Sequence, residues 1–462
     1  MTRAATWALP LAALLACVPP NAGYDDVRSV VSRTGHEVRW RHVDSAGSSS
    51  AEAKAILRAP LTADRAVKLA LVNNAEVQAA FEALGMARAD VVRALRLPNP
   101  SVEGSLQSGD TGSTSTELTL SQDLSELILL PMRNGAAQAE LGAVKLEVAG
   151  RVMDLILAVR KAFYSYLADQ QILELRSSVL EALKAATVAA EEIHRAGNMT
   201  DLDLSSQQVL YDEARVSYSS AETALATSRE RLNTLLGVWG RDASWKALGR
   251  LAAPEDISPE SLEGRTVERS VELATIRQRF TAAAKRANLA RAQGFLPELK
   301  AGVTFEREGG EWGYGPVAEV ELPIFYQGQG EVARAQAEMR REEQLYAAMG
   351  TRVRAATRAV QARASTARAR ALYLKNVLIP MRERILDDTQ LQFNAMNASV
   401  FQLLIARRDQ IETGRAYVEA LREYWLAAAD LEQLRAGRIP EGALATVGIA
   451  EAAVSADESG TH

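Results

Sequence analysis

The alternating run Ser101-Val102-Glu103-Gly104-Ser105-Leu106-Gln107 has a counterpart in Lys300-Ala301-Gly302-Val303-Thr304-Phe305-Glu306, and each follows a helical pattern ended by proline. Small or apolar residues alternate with polar ones, the period of a strand with two unlike faces. A Gly/Ser/Thr/Asp link at 108–115, or Gly309-Gly310-Glu311-Trp312-Gly313, leads to a second such run, Glu117-Leu118-Thr119-Leu120-Ser121 or Glu319-Val320-Glu321-Leu322. Each copy therefore holds a hairpin. Four amphipathic strands leave two edges whose unpaired amides invite association. In lipid those edges are forbidden, so a spanning sheet must close. Single-chain bacterial barrels take at least eight strands, and four can cross only if several chains share one barrel.

The hairpins belong to a unit written twice. Leu97-Pro98 aligns with Leu296-Pro297, Ala137 to Glu140 with Ala335 to Glu338, and Thr200 to Leu204 with Ser399 to Leu403, at a near-constant offset of about 199 residues. The reading assigns 61–253 to the first repeat and 254–438 to the second. Each opens with a helical pattern, Thr62 to Leu97 or Ser258 to Phe295, rich in Ala, Leu, Arg and Glu. After the hairpin comes a helical stretch from about Asn134 to Ala196, or Gly330 to Asn394, on the order of 60 residues and 90 Å. Small polar residues break it at Gly197-Asn198-Met199-Thr200-Asp201 and Ala395-Met396-Asn397-Ala398-Ser399, and a return helix runs to Gly237 or Gly437.

Leu204, Tyr211, Tyr218, Leu225 and Leu232 recur every seventh residue, answered by Leu403, Gln410, Tyr417, Tyr424 and Leu431. Such a repeat keeps one seam on a partner helix through left-handed supercoiling. These rows are packing positions.

The composition excludes several functions. Of 462 residues, 47% are hydrophobic, and Lys+Arg total 53 against Asp+Glu 58, a formal charge of −5. No basic face for nucleic acid is expected. One cysteine and four histidines, at 36, 42, 194 and 462, provide neither a disulfide framework nor zinc-ligand spacing. No metal site or cofactor is expected. Met and His do not cluster as a soft-metal path requires.

The start of the chain reads as a targeting segment. Arg3, the apolar stretch Ala4 to Ala16 and then Cys17 form a secretory signal over 1–16, too short to span a bilayer as a helix. A sole cysteine after Leu14-Leu15-Ala16 resembles a bacterial lipobox, although Leu15 stands where a small residue is more usual. Cys17 is then the lipidation site; the alternative is an ordinary signal with an incidental cysteine. Residues 17–60 match neither repeat and read as a lipidated, extended arm with a Ser/Ala-rich linker at 45–53, and 439–462 as a flexible tail. Beyond residue 17 no uninterrupted apolar run of about 18 residues occurs.

Taken together, Leu61-Thr62 with Ala66 to Asn74, Leu97-Pro98-Asn99-Pro100, Val320-Glu321-Leu322-Pro323-Ile324-Phe325 and Ala196-Gly197 through Leu204 resemble the TolC-like outer membrane efflux protein family, lipoprotein type, over about residues 60 to 438. Two departures affect local geometry: Asp123 stands where the second copy has Pro323, and Met396 where the first has Gly197. The resemblance implies a mainly α chain with a small β part, a homotrimer whose helical barrel carries a twelve-stranded transmembrane β-barrel, and no catalysis. It further implies an outer-membrane setting and two protein partners: a periplasmic membrane fusion adaptor and an inner-membrane pump of the RND type.

In such a conduit the narrow periplasmic end lies where the long hairpins turn. Asp201 and Asp203 are candidates for a gate, since carboxylates gathered near one axis repel each other and attract cations. Helix capping is the alternative for both. Gly197, Asn198 and Thr200 in one turn, with Asn397, Ser399 and Gln402 in the other, are the expected adaptor-docking tips, and the uncharged second turn is not equivalent to the first. Two rival classes remain. A periplasmic coiled-coil lipoprotein scaffold explains the heptads but not two matched hairpins. A hydrolase using Asp201 and Asp203 lacks a second catalytic cluster. The cargo, metal ions or drugs, is not legible, and overall similarity leans toward metal or cation systems.

Overall fold

The computed structural model describes residues 23–40, 46–108, 114–256, 262–308 and 311–443. The signal segment, Cys17 and residues 444–462 lie outside them. The chain divides into two compact units, one holding Phe81–Lys145 and Gln278–Arg340, the other Val27–Ala80, Leu146–Arg277 and the chain from Arg341 onward.

The first unit contains the sheet. Strands β1 (Ser101–Ser108), β2 (Thr114–Asp123), β3 (Glu298–Glu308) and β4 (Glu311–Glu321) run antiparallel in the order β1-β2-β3-β4. β4 begins at Glu311, so Glu311-Trp312-Gly313 is strand and not link as expected. The hairpin links at 109–113 and 309–310 lie outside the described residues. The register sets Val102 opposite Leu120, Leu120 opposite Val303 and Val303 opposite Pro316, with Leu118, Phe305 and Tyr314 aligned across the neighbouring row. Because side chains alternate along a strand, these residues share one face, and Glu103, Thr119, Thr304, Glu117 and Glu306 share the other. Thr119 and Thr304 hydroxyls meet at 2.7 Å on the polar side. The apolar face is largely uncovered: Leu106 is 77% exposed and Tyr314 84%. Among the described residues β1 and β4 are the outer strands of the sheet.

Helix α5 (Ser125–Arg195) is 71 residues long and starts nine residues before the expected Asn134. Asp123 is the reason: its carboxylate accepts the amides of Ser125 at 2.9 Å and Glu126 at 3.3 Å, a cap that starts the helix directly at the strand exit. In the second copy Pro323 has no amide and follows β4, and helix α9 (Gln329–Tyr373) begins only after Gly328.

The expected opening helix of each repeat is a broken pair, α3 (Ala63–Asn73) with α4 (Ala75–Leu95) and α7 (Leu262–Arg269) with α8 (Val271–Phe295), and both breaks fall in the second unit. Buried Asn74 accepts the Glu76 amide at 2.8 Å and donates to the Leu235 carbonyl at 3.0 Å. Ser270 accepts the Leu273 amide at 3.2 Å. The return helices α6 (Asp201–Leu236) and α11 (Val400–Ala436) end on left-handed Gly237 and Gly437, which seat against these breaks. A Cβ on Gly437 would lie 2.2 Å from the Arg269 carbonyl.

The second long helix is interrupted. α9 passes through a π turn at Leu374–Leu378 into α10 (Ile379–Asn394). Pro380 cannot donate the amide that a regular helix requires there, and a wider turn accommodates it. Val179, Leu183, Ala214 and Ile411 form one cluster joining α5, α6 and α11. The heptad row of α6 is only half-buried around Tyr211. The buried seam lies three residues on, at Gln207, Ala214 and Ala221, where small side chains let helices approach.

The arm is not extended throughout: it contains α1 (Tyr24–Val31), a short 3₁₀ turn (Ser32–Thr34) and α2 (Ala46–Leu57), the last over the expected linker. Nor is the tail loose from its start. Ala443 packs with Leu262, Val360 and Leu434, and the Ile439 amide bonds Glu272 at 2.9 Å. Apolar burial ties the chain down this far. No described helix is long and apolar enough to cross a membrane.

Candidate functional site

The two turns of the long hairpins are built by different means onto the same backbone. In the first, Gly197 takes φ 77° and its amide bonds the His194 carbonyl at 2.8 Å, while Asn198 bonds Ile193 at 3.1 Å. That pairing is a glycine-type helix stop. In the second, Met396 adopts φ 60°, the one described non-glycine residue with positive φ, and Asn397 bonds Gln392 at 2.8 Å. The departure noted in the sequence therefore changes the strain of the turn, not its path.

Capping falls to neither aspartate. Thr200 caps α6, accepting the Asp203 amide at 3.1 Å and donating its hydroxyl to the Asp203 carboxylate at 2.7 Å. Ser399 caps α11 in a full capping box with Gln402, whose side chain accepts the Ser399 amide at 2.9 Å. Asp201 is 95% exposed and lies 3.3 Å from His194 Nε2, while His194 Nδ1 faces the Met199 carbonyl at 3.0 Å. An imidazole facing an acceptor with each nitrogen donates to both only when protonated. The first turn thus carries a histidine–aspartate contact that the uncharged second turn lacks.

Both turns border a single cavity of about 660 Å³, lined chiefly by Ile193, Met199, Phe393, Met396, Val400 and Phe401. Sequence reasoning named the polar tip residues and missed this apolar wall and His194. The available signal was the density of Met, Phe and Val inside stretches otherwise read as polar turns. Met199 and Met396, nearly 200 residues apart in sequence, line the same cavity, a grouping that linear spacing could not display. Among the described residues no cluster of His, Cys, Asp and Glu is arranged to hold a metal.

Residues 66–238 match the family model described as outer membrane efflux protein. The cobalt-zinc-cadmium resistance protein CzcC of Cupriavidus metallidurans is 23% identical over 81% of this chain and 90% of its own length. The probable efflux pump outer membrane protein TtgC of Pseudomonas putida is 26% identical over 57% of this chain and 59% of its own length. In fold, the Campylobacter jejuni CmeC outer membrane channel superposes with a TM-score of 0.71 at 16% identity, covering 82% of this chain and 86% of that one. With the duplicated helix–hairpin–helix unit and the two-faced sheet, these likenesses converge: residues 66–238 are similar to the outer membrane efflux protein family, and the chain shares the fold of the CmeC outer membrane channel.

Proposed function

We propose that this protein is the outer-membrane channel of a tripartite efflux system, a passive conduit from periplasm to exterior with no chemistry of its own. The observation that carries the reading is the sheet: four antiparallel strands, one face apolar and uncovered, the other acidic and polar. Its strands are 8 to 11 residues long, which suits a bilayer crossing of about 9–11 residues. A sheet of this kind spans lipid only when closed. The likeness to outer membrane efflux proteins sets the number of chains at three, a homotrimer whose copies together supply twelve strands. Energy comes from an inner-membrane pump of the RND type, and a periplasmic membrane fusion adaptor docks at Gly197, Asn198, Thr200, Asn397, Ser399 and Gln402. A lipid on Cys17 fixes the chain to the outer membrane in addition to the barrel. The likeness to a cobalt-zinc-cadmium resistance protein over 81% of this chain favours metal cations as cargo over drugs.

In this assembly Asp201 and Asp203 of the three chains surround the axis and form the periplasmic gate, which attracts cations and resists opening. The decisive experiment is reconstitution of the full-length protein in planar bilayers with measurement of stoichiometry and single-channel conductance. Trimers that conduct, with cation block lost in D201N/D203N, are expected. A non-conducting monomer in mild detergent points instead to a periplasmic scaffold. Conductance and block unchanged in the double variant remove the gate assignment and leave the channel intact.

A further inference from the structure

A second cavity in the unit that holds the turns has a different chemistry. It measures about 330 Å³, and its lining includes Arg33, Arg160, Arg265, Arg269 and Arg435 with Glu432 as the sole carboxylate. Met153, Ile156 and Leu157 of α5 and Ala429 of α11 form an apolar floor. The volume falls at the lower end of the range for small-ligand pockets, about 300–1,000 Å³.

The arginines come from four elements: the 3₁₀ turn, α5, α7 and α11. Arg269 and Arg435 each stand in the last turn of a helix, where a cation complements the backbone dipole. That accounts for each singly but not for their convergence on one cavity. Arg160 pairs with Glu432 and lies 3.3 Å from Asp64, yet its Nε is buried without a hydrogen-bond partner. Among the described residues Arg33 reaches only the Arg269 carbonyl, at 3.4 Å, and no carboxylate pairs with Arg33, Arg269 or Arg435. His36, 3.1 Å from Arg160, is held below the usual histidine range by burial and by the Arg160 charge, against the opposing pull of Asp64. The surroundings are positive, and guanidinium groups that line one cavity repel one another unless an anion intervenes.

We propose that this cavity is a binding site for a small soluble oxyanion of the phosphate or pyrophosphate class, held by bidentate arginine contacts over an apolar floor. The site lies outside the turns and the sheet and is independent of the export reading.

The test uses inorganic pyrophosphate as probe. Titration calorimetry of the full-length protein in detergent, against sodium chloride at matched ionic strength, is expected to show saturable binding. R269Q/R435Q should weaken it at least tenfold, R269K/R435K less, and R384Q, an exposed arginine on α10, not at all. If the double variant does not assemble, R435Q alone carries the comparison. No saturable binding beyond the chloride control, or equal loss in R384Q, overturns the proposal.

Discussion

Val303 and Thr304 are neighbours in β3 whose side chains lie on opposite faces of the sheet, so an arginine at each site tests the assignment of faces directly. Val303 is the central residue of Glu298–Glu308, between Leu120 and Pro316 on the apolar face. If that face meets lipid, Val303→Arg places a guanidinium near the bilayer midplane at a cost of about 2–4 kcal/mol per chain. In a closed three-chain barrel the penalty recurs, about 6–12 kcal/mol per assembly. Thr304→Arg points into the lumen beside Glu306 and Glu117 of the polar face and loses the 2.7 Å contact with Thr119, worth about 1 kcal/mol. The assay is urea-induced unfolding of the protein in lipid vesicles, read by the trimer fraction on semi-native gels. V303R is expected to abolish or strongly depress assembly, with T304R close to wild type. Equal damage from both, or greater damage from T304R, refutes the membrane assignment of the sheet and the oligomeric argument built on it.

Three further outcomes follow from single residues. Met396 is 94% exposed in a left-handed conformation at the edge of the tip cavity, so M396G relieves strain at the loss of little buried contact, and exchange of the Asn397 amide should slow about two- to fivefold, for a gain of about 0.5–1 kcal/mol. Gln207 is 1% exposed and neither side-chain polar atom finds a partner; Q207L should raise the urea midpoint, with a gain of about 1–3 kcal/mol. Because His36 has a folded-state pKa below its unfolded value, its neutral form stabilises the protein above an unfolded pKa of about 6.5, and that contribution disappears as pH falls through the lower folded value. Denaturation midpoints measured from pH 7.5 downward should therefore decline more steeply in wild type than in H36Q.

The unit from Thr62 to Gly237 and its repeat were legible because their signals are local. Proline after Leu97 and Leu296 stops a helix, alternation at 101–107 and 300–306 marks strands, and glycine at 237 and 437 marks the ends of the return helices, where the backbone is left-handed. Boundaries set by side-chain chemistry at one atom were not. The early start of α5 depends on Asp123 capping, and the turn at Met396 depends on a conformation that propensity disfavours.

Sequence alone determined the order of opening helical stretch, hairpin, long helix and return helix, its duplication and the polarity of each strand, since these follow from chain-local sterics and from the two periods, 2 and 3.6, at which side chains face a common side. Only the tertiary structure decided which distant residues meet. It joined the two hairpins into one sheet through β2 and β3, set Met199 and Met396 around one cavity, and gathered arginines from four elements about another. Such juxtapositions depend on packing between segments far apart along the chain, and no pattern within any one segment encodes the distance between them.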